Sequence, residues 1–198
     1  LVPMKTAVEL MKRAFSDLSA GNVTSPLRTP VPVPEVEGVS LFMPAFVPSI
    51  DGLGMKIVSV FPQNPSMGKP TINAMVAVLD AKTGEPVALL DGTFLTALRT
   101  GAGAGAATDY LARADSKVVT CIGAGAQGLT QAWAVSAVRD IERVYVSDVN
   151  ADARNSFAER MRTYDEDLAA KVQPVEDLPA ALAESDVSYV GLLGPARR

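Results

Sequence analysis

The sequence predicts an α/β protein in which an incomplete, doubly wound parallel sheet follows an α+β domain. A short β-branched strand over residues 117–122 runs into a glycine loop, and a helix follows at once. Strands and helices then alternate to the end of the sequence, which is typical of a doubly wound sheet. Before this region, strand-like segments are joined by connections too short for helical crossovers, so an antiparallel sheet is expected there.

The first half of the chain is predicted to contain two helices and four strands. Apolar residues at spacings of three and four predict a helix over 3–20. A proline-rich segment over 24–34 is expected to be extended, because proline is incompatible with a helix interior. Alternating patterns and a long apolar face then predict strands over 39–46, 53–61, 71–80 and 86–90 and a helix over 93–112.

The second half alternates between strand and helix. Its predicted strands cover 117–122, 143–147, 171–175 and 187–190, and its predicted helices cover 126–138, 151–163 and 177–184. A full domain of this Rossmann type has about six strands. Because the sequence supplies fewer, we expect the 198 residues to be part of a longer protein, although a small natural protein with a short sheet is an alternative.

Composition excludes several classes of function. The net charge is −4 and no basic block is present, which argues against nucleic acid or an anionic membrane surface as a partner. The chain contains no histidine, so a Ser-His-Asp triad and a histidine-ligated metal are excluded within it, and no metal site is expected. The single cysteine, Cys121, lies mid-strand as a buried apolar residue and fits a reducing, cytoplasmic location.

The glycine loop predicts a binding site for a dinucleotide. Gly123 would permit the tight turn after the strand, Gly125 would let the backbone approach a pyrophosphate, and Gly128 would let the helix pack close to the strand. Asp148 ends the next strand, where a ribose-binding carboxylate belongs. Because no arginine adjoins Asp148, and its carboxylate would repel a 2′-phosphate, NAD is favoured over NADP.

A second glycine-rich segment, residues 101–106, also satisfies the loose motif. The residues before it are helical in character, and no strand leads into it. These glycines are therefore interpreted as a thin helix face for close packing, which costs about 1 kcal/mol of helix propensity for each glycine relative to alanine.

Three cationic residues suggest a site for a small anionic substrate. Lys56 lies in a strand that is apolar on both faces. A lysine there must form an ion pair, extend into a binding site or lose its charge. The alternative is that it snorkels at the sheet margin, with its ammonium group in solvent. Arg28 lies on a rigid segment between prolines and suits bidentate capture of a carboxylate. Arg99 lies on the linking helix. A structural salt bridge is the alternative for either arginine.

The sequence resembles the ornithine cyclodeaminase/mu-crystallin family over nearly its whole length. The resemblance is based on Leu41-Phe42-Met43-Pro44-Ala45, Gly54-Met55-Lys56, Asp80 to Pro86, Leu95-Thr96-Ala97-Leu98-Arg99-Thr100 and Gly123-Ala124-Gly125-Ala126-Gln127. It implies that residues 1–98 form a substrate-binding and dimerisation domain and residues 99–198 a truncated NAD(P)-binding Rossmann domain. It also implies a homodimer.

The resemblance further assigns residue roles. It implies that Arg28 and Lys56 hold the substrate carboxylate, with Lys56 also near the reacting carbon. It also implies that six residues contact the cofactor or line the site: Thr71, Arg99, Thr100, Ala126, Gln127 and Asp148. The aspartate that performs acid–base chemistry in the family would lie beyond Arg198.

The function expected from these features is an NAD-dependent oxidoreductase acting on a small amino or imino acid. Cyclodeaminases of the family place a glutamate two residues before the Met-Pro pair to bind a distal amine, and this chain has Leu41 there. We therefore expect alanine or a cyclic imine as substrate. Ornithine cyclodeamination, and a non-catalytic mu-crystallin-like binding protein, are the alternatives.

Overall fold

The computed structural model describes residues 2–191, which fall into two compact units. The antiparallel-sheet unit comprises Arg13–Thr96, and the described residues of the parallel-sheet unit are 2–12 and 97–191. The predicted division at residue 98 gave the whole N-terminus to the first domain, whereas the structure groups its first segment with the parallel sheet. The packing of Val8 explains this grouping, because its fully buried side chain adjoins Gly105 of the parallel-sheet unit. The last seven residues of the predicted domain 99–198 lie outside the described residues.

The antiparallel-sheet unit is built on a five-stranded sheet in the order β1-β2-β3-β4-β5. Its strands are β1 Thr29–Val33, β2 Gly38–Val47, β3 Gly52–Val60, β4 Ile72–Asp80 and β5 Pro86–Asp91. Each neighbouring pair is antiparallel. The four strands predicted from alternation are thus confirmed as β2 to β5. Short 3-10 helices lie between strands at Pro34–Val36, Pro48–Ile50 and Asn64–Met67.

Strand β1 lies within the proline-rich segment that was expected only to be extended. Proline lacks the N–H group that a central strand needs for its ladder, and it is tolerated at sheet edges. β1 is at the edge and pairs with β2 alone, so the missing donors of Pro30 and Pro32 are accommodated there.

The parallel-sheet unit contains four parallel strands in the order β8-β7-β6-β9. Its strands are β6 Val118–Ile122, β7 Arg143–Ser147, β8 Val172–Pro174 and β9 Val187–Val190. The helices that connect them are α3 Ala126–Ser136, α4 Ala151–Asn155, α5 Phe157–Met161, α6 Glu166–Ala169 and α7 Leu178–Glu184. This strand order, with helical crossovers, confirms the predicted Rossmann-type parallel sheet.

The central strands β6 and β7 form the core of this unit. Cys121, Val144 and Val146 are almost completely buried, and Phe157 and Met161 of α5 pack into the same cluster. Burial raises the pKa of the Cys121 thiol to about 12. The thiol is therefore protonated at neutral pH, in keeping with the predicted core role.

Helix α1, Met4–Ser19, and helix α2, Gly92–Leu111, each contribute residues to both units. Within the parallel-sheet unit, α2 packs closely on α3. A Cβ atom on Gly101 would lie 2.4 Å from the Thr130 carbonyl oxygen, and one on Gly105 would lie 3.0 Å from the Ala134 Cβ. The interpretation of residues 101–106 as a thin helix face is therefore confirmed.

The predicted helix over 151–163 is interrupted. α4 ends at Asn155 and α5 begins at Phe157, with Ser156 between them. The sequence has neither glycine nor proline at this point to signal the break. No helix in the described part of the chain is both long and apolar enough to cross a membrane.

Candidate dinucleotide and substrate sites

The glycine turn, residues 123–128, joins β6 to α3 at the carboxyl end of the parallel sheet. Gly123 has a φ of 105°, which favours glycine, and its N–H donates to the Ser147 carbonyl at 2.8 Å. A Cβ atom on Gly128 would lie 2.2 Å from the Gly123 carbonyl oxygen. Glycine at position 128 therefore allows α3 to approach the strand. The mechanical roles predicted for Gly123 and Gly128 are confirmed.

The middle of the turn faces open space. Gly125 and Ala126 are exposed, and a Cβ atom on Gly125 would meet no atom within 4 Å. Gly125 is the N-cap of α3, and no side chain among residues 2–191 caps this helix. Its first N–H groups and the positive end of its dipole are thus available to an anion, which fits a pyrophosphate. The Gln127 side-chain oxygen, also near the turn, is buried without a hydrogen-bond partner within residues 2–191.

Asp148 follows β7 and braces the turn. Its Oδ2 accepts the Ala124 N–H at 2.6 Å, and its Oδ1 accepts the Asn150 N–H at 2.8 Å. A carboxylate has about four acceptor positions, so both oxygens keep capacity for ribose hydroxyl groups. The structure thus brings Asp148 next to the turn, and ribose binding by this residue stays a prediction.

Arg154, which no sequence pattern marked as a site residue, also contacts this region. Its Nη1 donates to the Asp148 carbonyl at 3.0 Å, and its Nη2 donates to Glu176 at 2.8 Å. The side chain is only 13% exposed. Because the guanidinium is engaged by a carbonyl and a carboxylate, it supports the loop after β7 and is not presented to a 2′-phosphate. The residues around the turn therefore fit NAD.

Arg160 of α5 is a second arginine at the turn that was missed. Its Nη2 donates to the Ala124 carbonyl at 2.7 Å and to the Ala153 carbonyl at 2.8 Å. The two arginines donate to carbonyl groups in other segments of the fold, at Asp148 and Ala124. No local sequence pattern could therefore assign either arginine to the turn.

Arg99 and Thr100 lie on α2, just before its contact with α3. The next residue, Gly101, meets Thr130 in the second turn of α3. Arg99 and Thr100 are therefore close to the N-terminal end of that helix. Arg99 keeps access to solvent, although partial desolvation lowers the pKa of its guanidinium. The group remains positively charged at neutral pH.

Arg28 and Lys56 lie in the antiparallel-sheet unit at matching levels of the sheet. Thr29 pairs with Phe42 of β2, and Met43 of β2 pairs with Lys56 of β3. Arg28 therefore enters the sheet two strands from Lys56, which is about 10 Å between backbones. Arg28 is exposed, and Lys56 is half-buried on the same face of β3 as Val58.

Thr71 is not brought next to these two cations. It directly precedes β4, and its carbonyl accepts the Phe61 N–H at 2.9 Å. Lys56 pairs with Val76, which is five residues further along β4. Thr71 thus lies about 17 Å along β4 from the level of Lys56. Its predicted role near the cofactor stays a prediction.

Comparison with known proteins identifies relatives that match most of the chain. The model of the ornithine cyclodeaminase/mu-crystallin family matches residues 1–187. A Delta(1)-pyrroline-2-carboxylate reductase of Bacillus cereus is 37% identical over 187 residues, covering 94% of this chain and 57% of that protein. The chain therefore spans a little over half of the length of this relative.

Solved structures agree with this comparison. The Delta(1)-pyrroline-2-carboxylate reductase of Thermococcus litoralis, in complex with NADH and L-proline, matches with a TM-score of 0.89 and 43% identity, covering 96% of this chain and 58% of that one. An archaeal alanine dehydrogenase dimer with bound NAD matches with a TM-score of 0.83 and 32% identity, covering 96% and 56%. Both relatives were solved with a nicotinamide dinucleotide.

Proposed function

Because the chain belongs to the ornithine cyclodeaminase/mu-crystallin family, we propose that it binds NAD and acts as an oxidoreductase on a small amino or imino acid. The observation that carries this proposal is the glycine turn, where an uncapped helix N-terminus faces open space beside Asp148. When bound, the nicotinamide supplies or accepts a hydride. The residues proposed to hold NAD are Gly123, Gly125, Ala126, Gln127, Gly128 and Asp148, with Arg99, Thr100 and Thr71 as further contacts.

The substrate is proposed to bind through Arg28 and Lys56. The Arg28 guanidinium would bind the α-carboxylate bidentately, because its planar donors match carboxylate geometry. The Lys56 ammonium would donate a hydrogen bond to the imino or oxo group on the α-carbon. This division of labour is supported by their spacing, since the two residues enter the sheet about 10 Å apart and both side chains are long.

Leu41 favours a short or cyclic substrate. It pairs with Val58, two residues from Lys56 on the same face of β3. An apolar side chain beside the proposed imine-binding lysine supplies no partner for the distal amine of ornithine. We therefore place a cyclic imino acid such as pyrroline-2-carboxylate first. The L-proline bound to the Thermococcus litoralis reductase supports this choice.

We further propose a cytoplasmic homodimer that assembles through the antiparallel-sheet unit. The free, buried thiol of Cys121 fits a reducing compartment. Val31, Met75 and Leu89 are exposed, and their register puts them on one face of the sheet, opposite to the face of Lys56. The relative crystallised as an alanine dehydrogenase dimer supports this assembly.

Substrate turnover tests the proposal. Initial rates of NADH oxidation are measured with pyrroline-2-carboxylate and with pyruvate plus ammonia, and ornithine is tested for conversion to proline. We expect the cyclic imine to be reduced fastest. Lys56→Ala should lower this rate by about 10²-fold or more, the usual scale for removing a group that acts on the reacting atoms. Lys82→Ala, at an exposed lysine in the β4–β5 turn, is the matched control.

The outcomes separate the alternatives. Turnover of ornithine alone contradicts the proposed preference for a short or cyclic substrate. If no substrate is turned over while NADH still binds, and Lys56→Ala leaves that binding unchanged, the 198 residues bind the cofactor without catalysis. Either a binding protein of the mu-crystallin kind or a part that lacks the acid–base aspartate would give this result. If NADH does not bind, the proposed role of the glycine turn is wrong.

A further inference from the structure

Arg160 holds a peptide group of the glycine turn from outside the turn. Its Nη2 donates to the carbonyl oxygens of Ala124 and Ala153, at 2.7 and 2.8 Å. Its guanidinium also lies over the ring of Phe157, 5.8 Å from the ring centroid. Phe157 is completely buried in the core, so the guanidinium rests on a fixed surface. Two carbonyls and one ring therefore define its position.

The Ala124 carbonyl determines the direction of the next N–H group. In a planar trans peptide, the C=O of Ala124 and the N–H of Gly125 point in opposite directions, and no cis peptide is found in the described residues. Because Arg160 binds the carbonyl on the α5 side, the Gly125 N–H is directed away from α5. Gly125 is exposed, and its N–H has no hydrogen-bond acceptor within residues 2–191.

A restraint on this peptide is needed because glycine allows unusually free backbone rotation. If the peptide between residues 124 and 125 rotated by half a turn, the Ala124 carbonyl oxygen would face the open side and repel an anion. Asp148 restrains only the preceding peptide, since its Oδ2 accepts the Ala124 N–H at 2.6 Å. Arg160 restrains the peptide that carries the Gly125 N–H.

We propose that Arg160 is a positioning residue for the dinucleotide pyrophosphate, which keeps the Gly125 N–H directed at the anion by binding the Ala124 carbonyl. The inference rests on the proposed function, since it requires that the turn bind a dinucleotide. In this role Arg160 acts through Ala124 and does not itself contact the cofactor.

Affinity measurements with matched variants test this inference. Arg160→Gln removes the guanidinium, and Arg162→Gln makes the same change two residues away, at an arginine that pairs with Glu159 and Glu166 on the surface. Titration by NADH fluorescence should give a Kd about 10-fold higher for Arg160→Gln and unchanged for Arg162→Gln. ADP, which contains the pyrophosphate, should lose affinity by the same factor.

The ratio of NADH to NADPH affinity separates positioning of the pyrophosphate from contact with the ribose. Both cofactors share the pyrophosphate, so Arg160→Gln should weaken both equally. Thermal unfolding is recorded for each variant, and titrations are made well below the unfolding midpoint, so that loss of folded protein does not imitate loss of affinity. If Arg160→Gln does not fold, Arg160→Lys takes its place, with an expected loss of about 3-fold.

Several results overturn the inference. If the unsubstituted chain binds NADH and the Arg160 variant binds it equally well, Arg160 is not a positioning residue, and the proposed function stands. A lower unfolding midpoint with an unchanged Kd has the same meaning. A changed ratio of NADH to NADPH affinity assigns Arg160 to the ribose end. If the unsubstituted chain does not bind NADH, the proposed function and this inference fail together.

Discussion

Single residues of the glycine turn have separate structural and binding roles. Gly128 is buried against the Gly123 carbonyl and permits the packing of α3, whereas Gly125 is exposed and has free space around its Cα. The φ of Gly125 is −81°, which any residue can adopt. The same substitution at these two positions should therefore separate folding from cofactor binding.

Alanine substitutions test this separation. Gly128→Ala forces a methyl group against a backbone oxygen, and we expect it to lower the free energy of unfolding by about 1–3 kcal/mol. Gly125→Ala should change that free energy by less than about 0.5 kcal/mol. Because the added methyl group occupies the surface that the pyrophosphate approaches, Gly125→Ala should weaken NADH binding about 10-fold, which corresponds to about 1.4 kcal/mol.

Urea unfolding and NADH fluorescence titration of both variants provide the measurements. Unchanged stability in Gly128→Ala would contradict the close packing of α3 on β6. Unchanged NADH affinity in Gly125→Ala would mean that the ligand does not approach the backbone at position 125.

At the scale of secondary-structure elements, the sequence predicted those parts that depend on local patterns. Alternation identified β2 to β5, and the strand, loop and helix around Gly123 were correctly predicted. β1 was missed because its pairing with β2 is a tertiary contact, which the extended preference of Pro30 and Pro32 permits but does not specify. The break at Ser156 was missed because no glycine or proline marks it. The contacts of Arg154 and Arg160 were missed because they are tertiary contacts to carbonyl groups in other segments.

One carboxylate links three elements of the parallel-sheet unit. Asp186, directly before β9, accepts the backbone N–H groups of Lys117 at 2.7 Å and Val118 at 3.0 Å at the start of β6. It also accepts a hydrogen bond from Arg113, which follows α2. The backbone N–H groups of Lys117 and Val118, together with Arg113, lower the pKa of Asp186 from its ordinary value.

This lowered pKa predicts loss of stability in acid. The unfolded chain titrates Asp186 near its ordinary pKa of about 3.9. Because the pKa is lower in the folded protein, the stabilisation is fully present above about pH 4 and is lost as the pH falls through the folded pKa. Asp186→Asn should lower the thermal unfolding midpoint at pH 7 by several degrees and make the midpoint less dependent on pH below 4.

Asp115→Asn is the matched control. Asp115 also pairs with Arg113, but its side chain is 81% exposed and makes no hydrogen bond to a strand within residues 2–191. Thermal melts of both variants from pH 2 to pH 7 give the comparison. Some acid sensitivity should remain in Asp186→Asn, since hydrogen bonds from Lys12 and Arg139 also lower the pKa of Asp109. Identical pH profiles for the two variants would show that Asp186 does not link the elements as inferred.

At the scale of the whole molecule, the antiparallel sheet has two faces with different chemistry. One face contains Lys56 together with the apolar residues Leu41 and Val58. The opposite face exposes Met75 and Leu89, which are 40% and 67% accessible. Large apolar side chains that remain accessible on a sheet face in one chain are typical of a surface that is covered in an assembly. The proposed homodimer would cover this face while leaving the Lys56 face for the substrate.

A charge placed on the exposed face tests this assembly. In a homodimer the same patch contacts itself across a two-fold axis, so each substitution is introduced twice in one interface. We expect Leu89→Lys to convert the dimer to a monomer, because two lysines would be buried close together without partners. Met67→Lys, in the 3-10 helix Asn64–Met67, alters an equally apolar and 61% exposed residue outside the sheet and should leave the dimer intact.

Light scattering coupled to size-exclusion chromatography measures the mass of each variant. A monomeric unsubstituted protein would contradict the proposed homodimer, and a Leu89→Lys variant that stays dimeric would move the interface away from this face.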